Sequence, residues 1–142
     1  MDIQNERAYA ASDASVKDGI MAGSWHIKND ENELLLSNLI YYKDWNDNNL
    51  IGSKAITLLE LIETIERKGR NITSRKIEIA FDNRISYRRI VEEIAKLIVY
   101  SKDAGAEIAK IKKIIERSPF KIKLHLVKEH EAPKRTYQQQ PL

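Results

Sequence analysis

The chain has 142 residues, 42% of them hydrophobic and 32% charged, with a net charge of +3; it is long enough to bury one core and gives no reason for a second domain. It has no cysteine, which excludes disulfides and thiolate metal sites, and its weak positive charge tolerates a polyanion without demanding one. The opening residues 1–7 lack the apolar run of a signal peptide and no stretch approaches a membrane span, so the reading is of an intracellular protein, cytoplasmic or nuclear, with no membrane partner.

Residues 7–13, 21–28 and 33–42 have strand-like composition and are separated by Lys17-Asp18-Gly19 and Asn29-Asp30-Glu31-Asn32. These runs predict an antiparallel meander. Residues 43–49 are rich in Asn and Asp, whose side chains compete with regular structure for backbone hydrogen bonds, so a loop is expected. Asp44, Asn46 and Asn48 do not make it a calcium loop, because the twelfth position is Ala55 and supplies no carboxylate. Ala55, Leu58, Leu59, Ile62 and Ile65 then recur at helical spacing. Gly52-Ser53 or the preceding Asn pair can cap that helix, and Lys68-Gly69 is expected to close it.

Residues 76–82 alternate polar and apolar and stop on Asp82, as a fourth strand would. Helices are predicted over 85–100 and 103–117, the second broken by Ser118-Pro119, and a fifth strand over 121–127. The expected organisation is one domain over 7–128 with flexible termini at 1–6 and 129–142. The order βββαβααβ implies an α/β fold: a five-stranded mixed sheet, opened by a three-strand antiparallel meander, with helices packed on it. Asp13 and Asp82 each end a predicted strand, which is either simple turn chemistry or a place where two carboxylates meet a hard divalent cation.

In chain order, several short motifs resemble the ribonuclease H fold in its divergent form attached to retroelement reverse transcriptases. Asp13-Ala14-Ser15 resembles the Asp-Gly-Ser of the first strand, and Ala22-Gly23-Ser24-Trp25 the second strand. Phe81-Asp82-Asn83 resembles the aspartate that ends strand four, and Leu126-Val127-Lys128-Glu129-His130-Glu131 the Val-Lys-Gly-His-Gln stretch after strand five. The resemblance implies hydrolysis of the RNA strand of an RNA–DNA hybrid with Mg²⁺, or Mn²⁺, held by carboxylates. On it, Asp13 and Asp82 are catalytic and metal-binding and His130 is a catalytic loop residue. Ser15, Arg84, Arg88 and Arg89 become nucleic-acid contacts, and a reverse transcriptase domain of the same polyprotein becomes a partner.

The family's third carboxylate is a glutamate near the start of the first helix. Its pattern falls here on Ser53-Lys54-Ala55-Ile56-Thr57-Leu58-Leu59, which puts Lys54 in the glutamate slot, and an ammonium cannot ligate a cation. Helical phase turns Glu60 away from the buried stripe toward solvent. Glu63, on the other flank, is the remaining candidate metal ligand. Ala14 and Glu129 stand where the family has glycine, and the chain stops at Leu142, before the helix that brings the last family aspartate, as in a C-terminal truncation. The expectation is a ribonuclease-H-like domain that touches nucleic acid but has a weakened or lost metal site, with Lys54 paired to Asp13 or Asp82. The alternatives are an active ribonuclease H completed by Glu63 or Glu60, and a non-catalytic structural or partner-docking domain.

Overall fold

The computed structural model describes residues 7–72, 76–82, 85–96, 104–119 and 121–127. Strands β1 (Arg7–Lys17) and β2 (Ile20–Asn29) form a hairpin around Asp18 and Gly19. Their φ values of 54° and 77° are both left-handed, as a two-residue type I′ turn requires, and glycine at the second position makes that cheap. Asn29 organises the next corner, its Oδ1 accepting the backbone N–H groups of Glu31 and Glu33. Strand β3 (Leu34–Tyr42) then pairs antiparallel with β2, with a bulge after Ile27.

Helix α1 (Leu50–Ile72) carries the chain to β4 (Lys76–Asp82), which lies parallel to β1. Helices α2 (Ile85–Lys96) and α3 (Gly105–Arg117) precede β5 (Lys121–Val127), parallel to β4. The sheet order is β3-β2-β1-β4-β5, the mixed five-stranded α/β architecture expected from the sequence. Among the described residues, no helix is long and apolar enough to cross a membrane.

Local chemistry sets the boundaries of α1. The cap is Asn49, not Gly52-Ser53: its Oδ1 accepts the Gly52 N–H at 2.9 Å and satisfies an amide that the helix leaves free. The loop before it is tied to the hairpin, since the Trp45 N–H donates to the Gly19 carbonyl at 2.8 Å and the Gly19 N–H donates to Asp47 Oδ1 at 2.6 Å. At its other end the helix runs through Gly69 to Ile72 instead of closing at Lys68-Gly69. An internal glycine costs a helix only about 1 kcal/mol, which tertiary packing readily offsets.

The core lies between one face of the sheet and the helices. Ala8, Ala10, Trp25, Ile27, Ile77, Ile79 and Phe81 join Leu58, Ile62 and Ile65 of α1, Ile90 of α2, and Ile108 and Ile111 of α3 in one cluster. The predicted stripe of α1 is buried, and so is Leu61; the helix packs against the β1–β2 hairpin as well as against α2 and α3. Gly23 makes a close approach possible. A Cβ at that position would overlap the hydroxyl of Thr57, which is itself held by donation to the Ser53 carbonyl at 2.8 Å. Gly23→Ala should therefore destabilise the fold by about 1–3 kcal/mol, read as a lower Tm, and adding Thr57→Ala should recover part of the loss.

At the far side of the sheet, Glu78 of β4 joins three strands. Its Oε1 lies 2.7 Å from His125 Nε2, and its Oε2 lies 3.4 Å from Arg7 Nε and 3.5 Å from Lys76 Nζ. Burial pushes its carboxyl up, but the His125 hydrogen bond and the charges of Lys76, His125 and Arg7 outweigh burial and hold it below the ordinary 4.5. A depressed carboxylate adds stability above its unfolded-state value and loses it as pH falls through the folded value. Melting temperatures taken from about pH 6 to about pH 3 should fall with acid, and Glu78→Gln should flatten the part of that fall below the ordinary glutamate range.

Candidate functional site

Asp13 sits inside β1, opposite Ser24 of β2, and the strand continues to Lys17. The expectation that it ends a strand is corrected here, because the Asp18-Gly19 turn keeps the hairpin paired as far as Lys17 and Ile20. Against β4, however, Asp13 lies beyond the last partnered pair, Ala11 with Ala80. Asp13 and Asp82 are each two residues past that pair. They therefore share a row on neighbouring strands, and Asp82 ends β4 beside Val127. The fold brings the two carboxylate positions together at the backbone level.

Lys54 enters this row from α1. Its side chain has no solvent exposure, and Nζ lies 3.2 Å from Asp13 Oδ1 and donates to the Ala14 carbonyl at 3.1 Å. The same Asp13 Oδ1 accepts the Ala14 N–H at 2.8 Å. The Asp13 side chain is 63% exposed, so the pair is dry at the ammonium and wet at the carboxylate. Burying an ammonium costs several kcal/mol, and its place in the second turn of α1 sets it against the positive end of the helix dipole. The carboxylate and the carbonyl offset both costs. The sequence points to the ion pair through the slot that Lys54 fills; nothing in it announces the Ala14 carbonyl as the second acceptor.

The two glutamates of α1 lie elsewhere. Glu60 is partly buried and its Oε2 accepts Asn38 Nδ2 of β3 at 2.9 Å, so it meets the edge strand instead of facing open solvent. Glu63 is partly buried and lies nine residues past Lys54, about 13 Å further along the helix axis. Among the described residues, no three His, Asp or Glu side chains form a group that could hold a metal ion.

Ser15 is exposed beyond Asp13 on β1, beside Ala22 of β2. Arg88 and Arg89 are exposed on α2, and Arg89 Nε reaches the buried Glu93 at 3.3 Å, one helical turn on. The side chain of Asp82, and Arg84 and His130 entirely, lie outside the described residues.

No protein-family model matches the chain, and neither does any curated protein. Solved structures do. LC11-RNase H1, isolated from compost, superposes with a TM-score of 0.70 at 15% identity over 89% of this chain and 87% of that one. The fold is that of ribonuclease H. RNase H1 from the halophilic archaeon Halobacterium salinarum gives 0.64 at 11% identity over 87% of each chain. The prototype foamy virus protease–reverse transcriptase gives 0.64 at 8% identity, over 99% of this chain and 20% of that one. LC11-RNase H1 is also known in complex with an RNA/DNA hybrid, where it superposes with a TM-score of 0.67 at 16% identity over 87% of each chain. At these identities the shared property is the ribonuclease H fold, reached with largely different side chains.

The asymmetry of the ion pair gives a test of its energetics. Asp13→Ala removes a counter-charge from a buried ammonium and should cost about 2 kcal/mol, reduced from the fully buried range because the carboxylate is solvated. Lys54→Met keeps the stem and removes the buried charge, at the cost of its bonds to the exposed Asp13 carboxylate and the Ala14 carbonyl, so denaturant unfolding should show a smaller loss than Asp13→Ala, about 1 kcal/mol or less.

Proposed function

We propose that this chain is a ribonuclease-H-like, nucleic-acid-interacting domain of retroelement reverse-transcriptase origin whose magnesium-dependent site is weakened. One observation carries this reading: the Lys54 ammonium lies against the Asp13 oxygen that a metal ion would need. Mg²⁺ binds carboxylate oxygens at about 2.0–2.1 Å, so an ion there and the ammonium would face each other across one oxygen as like charges. The residues do not fit a metal pair while Lys54 keeps this position. Support for a nucleic-acid ligand comes from LC11-RNase H1, which binds an RNA/DNA hybrid. Support for a reverse transcriptase neighbour comes from the foamy virus chain. Ser15, Arg84, Arg88 and Arg89 would contact the phosphate backbone, which sets position without reading sequence.

The shared row of Asp13 and Asp82 favours a second reading, an active Mg²⁺- or Mn²⁺-dependent ribonuclease H in which Lys54 swings away and Glu63 or Glu60 joins Asp13, Asp82 and His130. Calorimetric titration with Mg²⁺ and Mn²⁺ and a gel assay on a labelled RNA–DNA hybrid separate the two. The first reading expects neither two-site micromolar binding nor cleavage; observing either one sinks it. Lys54→Glu exchanges a repelling charge for a ligand and should raise metal affinity on the order of a hundredfold, and an unchanged affinity would count against the placement of Lys54 in the glutamate slot.

A further inference from the structure

The sheet has a second face, and among the described residues no helix packs on it. The cross-strand register sorts its side chains into rows. Arg7, Lys76 and Lys121 stand side by side on β1, β4 and β5. The next row runs Lys28, Tyr9, Glu78 and Lys123 from β2 to β5. Beyond it lie His26, Ala11, Ala80 and His125. Five lysines and arginines therefore face two nearby carboxylates, Glu78 and Asp30, the second acting on Arg7 at longer range.

Two rings lie among these cations. Tyr9 is 41% exposed, and its hydroxyl accepts Arg7 Nη1 at 3.4 Å. His26 is its diagonal neighbour on β2. Burial first, and the Lys28 charge second, hold that imidazole below the ordinary 6.5, so near neutral pH it is an uncharged ring. Past His26, a groove of about 500 Å³ lies between β2 and β3, lined by Ser24, Trp25, His26, Ser37, Asn38 and Leu39.

We propose that this open face binds a single-stranded nucleic acid, its phosphates over Arg7, Lys28, Lys76, Lys121 and Lys123 and its bases on Tyr9 and His26. The occupant follows from charge and from the rings. A row of ammonium and guanidinium groups takes a polyanion, and flat rings set among small alanines take exposed base faces, which a duplex hides. From β5 to the groove beside β3 is four strand spacings, about 19 Å, a path for about four nucleotides. Arg7 and Asp13 are six residues apart along β1, about 20 Å, so this path starts at the end of the sheet away from the carboxylates and slants toward their row at the groove, where Ser24 pairs with Asp13. The inference rests on the reading of the chain as nucleic-acid-interacting and adds a place and a strandedness to it.

Fluorescence anisotropy with labelled DNA and RNA single strands of about twelve nucleotides, and with the matching RNA–DNA hybrid, tests it on the full chain. Single-strand affinity should fall about tenfold in Tyr9→Ala and be kept in Tyr9→Phe. The pair Lys121→Glu and Lys123→Glu should lower it further and flatten the salt dependence by about 0.7 for each phosphate no longer neutralised. Hybrid affinity should change by less than about twofold, since base faces are not offered; thermal melts of each variant report folding. Hybrid binding without single-strand binding, or single-strand binding indifferent to these variants, overturns the open-face site and leaves the proposed function standing. Displacement of the oligonucleotide by poly-glutamate at equal charge marks a dock for acidic protein segments and also overturns it. Failure of every nucleic acid to bind removes both readings.

Discussion

The close approach of α1 to the β1–β2 hairpin is the constraint on which the rest of this structure depends. Ala8, Ala10 and Ala14 are buried on the inner side of β1, and Gly23 lies under Thr57, so the helix rests on backbone and small side chains instead of on a layer of large ones. The Asn49 cap and the loop bonds to Gly19 set where along the hairpin the helix begins. A side chain in its second turn is then pressed onto the hairpin strand below. Lys54 meets Asp13 and the Ala14 carbonyl because the packing leaves it no other direction; an interior this dense does not let one side chain relax alone. The ion pair is in this sense a product of the core.

What local chemistry decides was readable from the residues. Asp18-Gly19 announces a tight hairpin turn, alternation marks 76–82 and 121–127, and the apolar stripe of α1 follows from spacing alone. The features that escaped depend on contacts distant in sequence. Helical phase places Lys54 at the flank of a one-sided stripe, whereas α1 is covered by the β1–β2 hairpin on one side and by α2 and α3 on another, so Lys54 and Thr57 are buried against the hairpin and Leu61 and Thr64 are buried on the same flank of the helix. Glu60 read as solvent-facing because nothing in its neighbourhood predicts Asn38 of β3 as its donor. The run up to Asp13 read as a strand ending there, because polar Ser15 and Lys17 on the open face look like turn composition. Register is equally hidden: which cation stands beside which is set by parallel pairings between segments 45 (Lys76 with Lys121) and 69 (Arg7 with Lys76) residues apart in the chain, whose closure cost no local window contains.

Parallel strands are ordinarily covered on both faces, and β1, β4 and β5 are parallel to one another. Here the inner face is apolar and packed, while the outer face carries Ala11 and Ala80 at its centre between His26 and His125, with the cations toward one end of the strands and Asp13 toward the other. Such a surface is neither the apolar layer that a helix of the same chain would bury nor the uniformly polar layer of a solvated antiparallel sheet. The hub at Glu78 suits that intermediate state: one carboxylate keeps Arg7, Lys76 and His125 in place across three strands, which limits their mutual repulsion without cancelling it.

The same face thus separates two kinds of charge along the strands. Asp13 and the position of Asp82 share a row at one end, with the buried ammonium already set against Asp13, and the cations gather about 13–20 Å away toward the other. That separation exceeds the screening length of about 8–10 Å at physiological salt, so what happens at the carboxylates is scarcely felt at the cations. Metal chemistry and phosphate affinity draw on different residues. Replacing a site glutamate by Lys54 strikes the first, because a cation there competes with the metal for one oxygen. It leaves the second nearly untouched, because phosphate affinity is a sum over lysines and arginines elsewhere on the sheet. A ribonuclease H fold that has exchanged a carboxylate for an ammonium therefore has a physical route to remain a nucleic-acid-binding surface.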